Sequence, residues 1–214
     1  MSRRRRWQLP DPPAASLPAD PALRVVAELA HAVVQAEDPA EAYQFALDRA
    51  CPAVGASLGA LFLLDGAAEV MRAVAAHAWP ERWRPWLGEM RVRLGFGPAG
   101  EAAAERRLIE VPDVFADPAL EDWQEVAREL GFHAIVAVPV LGRDGVVGAA
   151  SFYFDTPGTQ PGPSKALLRA VADLVAAVHE LDVLRRSLRL AEAALEDERS
   201  AATPRREDSA ATDG

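Results

Sequence analysis

The chain has 214 residues, half of them apolar, which suffices for one buried core and one domain once its polar ends are set aside. A formal net charge of -9 supplies no clustered basic face to displace counterions from a nucleic acid, so DNA or RNA binding is not expected. The single cysteine, Cys51, excludes an internal disulfide and a cysteine-built zinc site, and it suits a reducing compartment.

The opening MSRRRRWQLPDPP has the charge of an export signal, but prolines stand where an unbroken apolar run would follow. Residues 1–19 therefore read as a disordered basic, Pro-rich tail. Asp20 and Pro21 predict a helix start, with Leu23, Val26, Ala30 and Val33 on one inward face. A second helix is predicted over Ala40 to Ala50, with Ala42, Phe45 and Ala46 inward and its end near Cys51-Pro52.

The apolar period then changes to two. Leu58, Ala60, Phe62 and Leu64, the turn residues Asp65-Gly66, and Val70 to Ala76 predict a hairpin. In WPERWRPWLG, Pro85 limits any helix to a single turn followed by a loop. A short strand over Met90 to Leu94, a short helix over Glu101 to Arg106 and a strand over Leu108 to Val111 follow.

Asp117-Pro118 opens a helix in which Leu120, Trp123, Ala127 and Leu130 share a face, and Gly131 is placed to end it in the left-handed conformation. Ala134 to Val140 and Val146 to Phe154 are the richest strand patterns, joined across Arg143-Asp144-Gly145. A long helix begins near Ser164 and carries Leu167, Ala170, Leu174, Ala177, Leu181, Leu184, Leu188, Ala191 and Leu195 in steps of three and four, a coiled-coil seam. Past Asp182 the helix is charged outside that seam and needs a partner to be stable in water. Residues 200–214 read as a second disordered tail. No apolar run is long enough to cross a bilayer, and a cytoplasmic protein that does not engage a membrane is expected.

The segment GFGPAGEAAAERRLIEVPDVFADP, followed by ARELGFHAIVAVPVLGRDGVVGAASFYF, resembles the GAF family of sensor domains in the order and spacing of its parts. Pro139 stands in the family's Val-Pro pair and Gly148 in its Val-Gly pair. The resemblance implies an α+β, profilin-like fold over residues 20–181: a central antiparallel sheet of five or six strands with helices on both faces. Residues 182–199 then form a coiled-coil-like extension of the last helix. It also implies a homodimer through helices near residues 21–36 and 164–199. A signalling partner in trans, such as a kinase, cyclase or other regulator, is expected beyond this chain.

The better-known chemistries of that family lack their residues here. The Asn-Lys, Phe and Asp-Glu set of cyclic-nucleotide binders cannot be assembled, Cys51 precedes the first strand rather than sitting where a bilin attaches, and sulfoxide reduction needs more than one cysteine. His31, His77, His133 and His179 are scattered one per element without metal-ligand spacing. His133 or His77 could still reach a pocket as a haem ligand, so a haem sensor stays open as a minor alternative, and no cofactor is assigned. Asp113, Asp117, Glu121 and Asp122 read as a cap and a solvated loop, and no nucleophile stands beside a base. GFGPAG lacks the spacing of a dinucleotide or phosphate loop.

Aromatics mark the candidate site. Trp79, Trp86, Phe96, Phe115, Trp123 and Phe152, with His133, are expected to surround a small planar or apolar ligand. An equal alternative reads these rings as a plug that fills the pocket, which makes the chain a constitutive dimerisation or docking module rather than a sensor. An enzyme is not expected under either reading.

Overall fold

The computed structural model describes residues 18–66 and 69–202. The two tails expected at the chain ends lie almost wholly outside the described residues, as do Ala67 and Ala68 of the first hairpin turn. Among the described residues, six helices and six strands run in the order α1 (Pro21–Gln35), α2 (Pro39–Val54), β1 (Leu58–Leu64), β2 (Val70–His77), α3 (Arg84–Glu89), β3 (Val92–Arg93), α4 (Gly97–Glu105), β4 (Ile109–Val111), α5 (Gln124–Leu130), β5 (Ala134–Leu141), β6 (Val146–Phe154) and α6 (Gly162–Ala202). Short 3-10 turns over Glu81–Trp83 and Pro118–Trp123 lead into α3 and α5.

The strands form one antiparallel sheet in the order β3-β2-β1-β6-β5-β4, as the α+β profilin-like reading expects. Its register sorts side chains into two cores. Leu61, Leu63, Val136, Val138, Ala150, Phe152 and Phe154 face α1, α2 and the first part of α6. Leu58, Ala60, Phe62, Ile135, Ala149 and Tyr153 face the other side, beneath α3, α4 and α5. Residues through Glu180 make one compact unit; those from Leu181 onward separate as a second.

Local chemistry explains the helix ends. The Asp20 carboxylate accepts from Leu23 N at 2.9 Å with Pro21 beside it, and Asp38 caps α2 in the same manner through Ala40 N. The inward face of α1 is Val25, Leu29 and Ala32, while Leu23 and Ala30 are exposed, so the face differs from the predicted one. With Leu23, Val25, Val26, Leu29, Val33 and Val34 the helix is apolar around most of its girth, and spacing alone does not select one stripe.

Helix α2 runs past the expected stop at Cys51-Pro52: it accommodates Pro52 in its last turn and ends at Gly55, whose left-handed backbone lets its N–H reach the Cys51 and Pro52 carbonyls. Helix α4 likewise begins earlier than predicted, at Gly97, because Pro98 occupies a first-turn position where no N–H is needed. The helix predicted from Asp117 is instead a 3-10 turn and α5 meeting at a kink, with Leu120 off helical geometry. Gly131 ends α5 at φ 76° as its place in the sequence predicts.

Two features fix the sheet edges. Strand β3 pairs with β2 only at Val70 and Met71, leaving the outer side of the rest of β2 without a strand neighbour among the described residues. There the Gln44 amide of α2 donates to Ala76 O at 3.0 Å and accepts from Ala76 N at 3.3 Å. At the opposite edge Glu110 of β4 accepts from Lys165 Nζ at 3.1 Å and from Gln160 N, tying the edge to the entry of α6.

Candidate functional site

On the sheet face away from α6, Phe62 of β1, Ile135 of β5, and Ser151 and Tyr153 of β6 make the floor of a small pocket. Val92, the Phe96–Ala99 segment and Trp123 form its walls. The enclosed space is 30 Å³, room for a water or two rather than for a metabolite.

The segment that rims the pocket is shaped by its glycines. Gly95 (φ 79°) and Gly97 (φ 65°) take left-handed backbone on either side of Phe96, and Gly95 N donates to Gly100 O at 2.8 Å. Gly100 has no room for a Cβ, which would overlap the Arg93 carbonyl oxygen. The result holds Phe96 at the rim, 65% exposed, with the Arg93 guanidinium 5.4 Å from its ring centroid.

Beside the pocket the tryptophans form a continuous aromatic cluster. Trp79 is buried, donates from Nε1 to Gly59 O at 3.0 Å, stacks on Trp86 at 6.3 Å and meets Tyr153 edge-on at 5.7 Å. Trp86 in turn meets Trp83 at 5.2 Å and Trp123 at 6.1 Å, both edge-on. Ring pairs in this range are favourable beyond their buried area, so the cluster stiffens the cover as well as excluding water.

Of the residues singled out from sequence, Phe96 and Trp123 line the pocket, and Trp79 and Trp86 belong to the adjoining cluster. Phe115 and His133 pair with each other at 5.0 Å, with Arg128 over the Phe115 ring and the His133 imidazole 3.8 Å from the Asp113 carboxylate; neither lines the pocket. Phe152 lies on the other face, fully buried against the helices. Adjacent aromatics Phe152 and Tyr153 point to opposite faces, and the pairing Leu58↔Tyr153 gives the pocket to Tyr153.

Phe62, Ile135, Ser151 and Tyr153 escaped the sequence reading. The signal that finds them is strand register: Ala60 pairs with Ser151 and Leu58 with Tyr153, so the face carrying Phe62 carries both polar side chains.

Electrostatically the pocket is nearly neutral. Burial pushes the Tyr153 phenol above its usual range, offset in part by a hydrogen bond with Ser151, so Tyr153 stays protonated at neutral pH. Ser151 is itself buried, leaving a hydroxyl pair on an apolar floor. Among the described residues no group of three metal-ligating side chains comes together. The residues do not fit haem: the enclosed space is far smaller than a macrocycle and His133 lies outside the lining. Cys51 is buried between α2 and β1, and burial, with the Asp48 charge adding, pushes its thiol up to about 12.

Among solved structures, the GAF domain of a phosphoenolpyruvate-protein phosphotransferase from Coxiella burnetii superposes with a TM-score of 0.66 at 18% identity, covering 78% of this chain and 96% of that one. A free methionine-R-sulfoxide reductase from Neisseria meningitidis, in complex with its substrate, gives 0.62 at 17% identity, covering 77% and 93%. The nlh2 GAF domain of A. aeolicus, in an inactive state, gives 0.61 at 14%, covering 76% and 97%. At such identities these likenesses establish the fold. No curated protein matches the chain in sequence. The family model described as "GAF domain" matches residues 36–180. The sheet order, the two-sided helical cover and that match agree: this chain belongs to the GAF domain family, a sensor and regulatory fold.

Proposed function

We propose that the chain is a non-enzymatic regulatory module of a signalling system, acting as a homodimer through apolar helix faces and passing its state to a partner in trans. The observation that carries this reading is the seam on the last part of α6. Leu184 and Leu188 are 63% and 60% exposed, and with Leu181, Ala191 and Leu195 they repeat at coiled-coil spacing on an otherwise charged helix. A lone helix of that composition is marginal in water, so a second helix supports it.

Helix α1 independently offers Leu23 and Val34, 60% and 67% exposed, on a stripe completed by Ala27 and Ala30. The natural occupant of two such stripes on one chain is a second copy, by a self-complementary contact. Sedimentation equilibrium of the full chain is expected to return twice the monomer mass; a monomer at micromolar concentration overturns the dimer.

Sensing is the second reading, favoured by the glycine-flanked Phe96 at the rim. A ligand over Phe62, Ile135, Ser151 and Tyr153 displaces Phe96 and loosens Trp123 and Trp86 to make room beyond the 30 Å³ enclosed now. The aromatic plug sets its chemistry: small, flat and mostly apolar, with one polar group for the Ser151 and Tyr153 hydroxyls. A thermal-shift screen of small aromatic compounds reads this out. A rise in Tm that Ser151→Val abolishes supports sensing, and no shift with any compound leaves the constitutive docking module.

Catalysis by thiolate is disfavoured. The buried Cys51, with its thiol near 12, is neither accessible nor ionised at neutral pH.

A further inference from the structure

A cavity larger than the aromatic pocket lies on the opposite face of the sheet. It is a cleft of 310 Å³ between the turn that joins α4 to β4 and the first part of α6, lined by Arg106, Arg107, Leu108, Val138, Pro139, Leu141, Arg169 and Asp173. Three arginines from two elements converge on an apolar floor in a chain whose net charge is -9.

Each arginine is held differently. Arg107 is already paired with the Glu105 carboxylate through both Nε and Nη2. Arg106 caps α4 with left-handed backbone (φ 55°, ψ 33°), a position that glycine or asparagine ordinarily fills. Arg169 projects from α6 one turn before Asp173. Among the described residues neither Arg106 nor Arg169 has a carboxylate within ion-pair distance.

The wall beside them is short of N–H donors. Strand β4 pairs with β5 only from Ile135 to Ala137, so beyond that the outer edge of β5 has no strand neighbour among the described residues, and Pro139 there has no N–H to give. Anion recognition in this cleft therefore falls to the guanidinium groups, which suit carboxylate and phosphate oxygens by their planar, forked donors. Leu108, Pro139 and Leu141 supply the apolar contact a purely inorganic ion would not use.

We propose that this cleft is a ligand site for a small organic anion. Its carboxylate or phosphate head meets Arg106 and Arg169, with Arg107 alongside, and its apolar body lies on Leu108, Pro139 and Leu141. Asp173 sets a limit on the ligand, since it repels a second negative charge placed toward α6 and accepts from a hydroxyl or amine there. Because Arg106 and Arg169 sit on opposite walls, a bound anion bridges the α4–β4 turn to α6.

Isothermal titration calorimetry of the full chain with phenyl phosphate, 3-phenylpropionate and inorganic phosphate tests the site. One of the two aromatic anions is expected to bind saturably, one per chain, more tightly than inorganic phosphate; which one binds better tells a phosphate from a carboxylate head. Arg106→Gly and Arg169→Gln should each weaken that binding by about tenfold or more, while Arg82→Gln leaves it unchanged. Arg106→Gly suits the left-handed backbone, so its Tm should not fall and lost binding cannot be assigned to unfolding. Absence of binding by both aromatic anions, binding equal in Arg106→Gly and the unaltered chain, or binding of an acidic peptide alone overturns the proposal.

Discussion

The indole N–H of Trp79 donates to the backbone carbonyl of Gly59 at 3.0 Å, pinning the aromatic cover to strand β1. Trp79→Phe keeps a ring but strands a buried carbonyl and leaves a void, so it is expected to cost about 2–4 kcal/mol in urea unfolding. Trp86→Phe, at a more exposed ring, should cost less than half as much. Equal losses would mean that packing, not the hydrogen bond, anchors the cover.

Gly148 lies opposite Leu63 in the central strand pair, with the Phe62 carbonyl alongside. A Cβ on Gly148 would overlap the Phe62 carbonyl oxygen and come within 2.9 Å of the Leu63 Cα. Neither is a movable side chain, so Gly148→Ala is expected to destabilise by about 3 kcal/mol. Gly88 in α3 has open space around it, and Gly88→Ala should stabilise by about 0.5–1 kcal/mol. Chemical denaturation of both variants checks the contrast.

That contrast shows how the fold could be read from residue order. The glycine turn, the Gly131 stop and the Val-Gly pair are positions where backbone geometry tolerates few alternatives, and they sit where the sequence puts them. The pocket lining was less legible. Phe152 and Tyr153 are equally aromatic neighbours, and only pairing with β1 decides which faces the pocket. Phe115, on a loop, and His133, at a strand start, are expected beside the tryptophans, yet they form their own pair beside Asp113 and Arg128. The inward face of α1 was ambiguous for a different reason, since apolar side chains surround most of that helix.

Cys51 yields a pH prediction. Its folded thiol sits near 12, above the unfolded value of about 8.5, so the protonated form is favoured by folding. The stabilisation is complete below the unfolded value and is lost as pH rises through the folded one. Stability should therefore hold to about pH 8.5 and then fall, by up to about 1.4 kcal/mol per pH unit for this group. Cys51→Ala should flatten part of that fall, with Tyr153, raised in the same direction, supplying the remainder. Iodoacetamide should leave native Cys51 unlabelled at pH 8 and label it in urea.

The seam on α6 gives the most direct test of assembly. Replacing Leu181, Leu184 and Leu188 together by polar residues should yield a folded monomer. Circular dichroism is expected to retain the sheet signal, with thermal unfolding still cooperative. An unchanged sedimentation coefficient would show that these leucines are not the dimer contact.

The amide of Gln44 occupies both the donor and the acceptor that Ala76 presents at the open side of β2. A bare strand edge is a template on which another molecule can extend the sheet, the first step toward aggregation. Here one side chain occupies that template at Ala76 on one margin, and toward the other Pro139 has no N–H to offer a recruited strand. Sheet-to-sheet joining of copies is thereby disfavoured at these two positions.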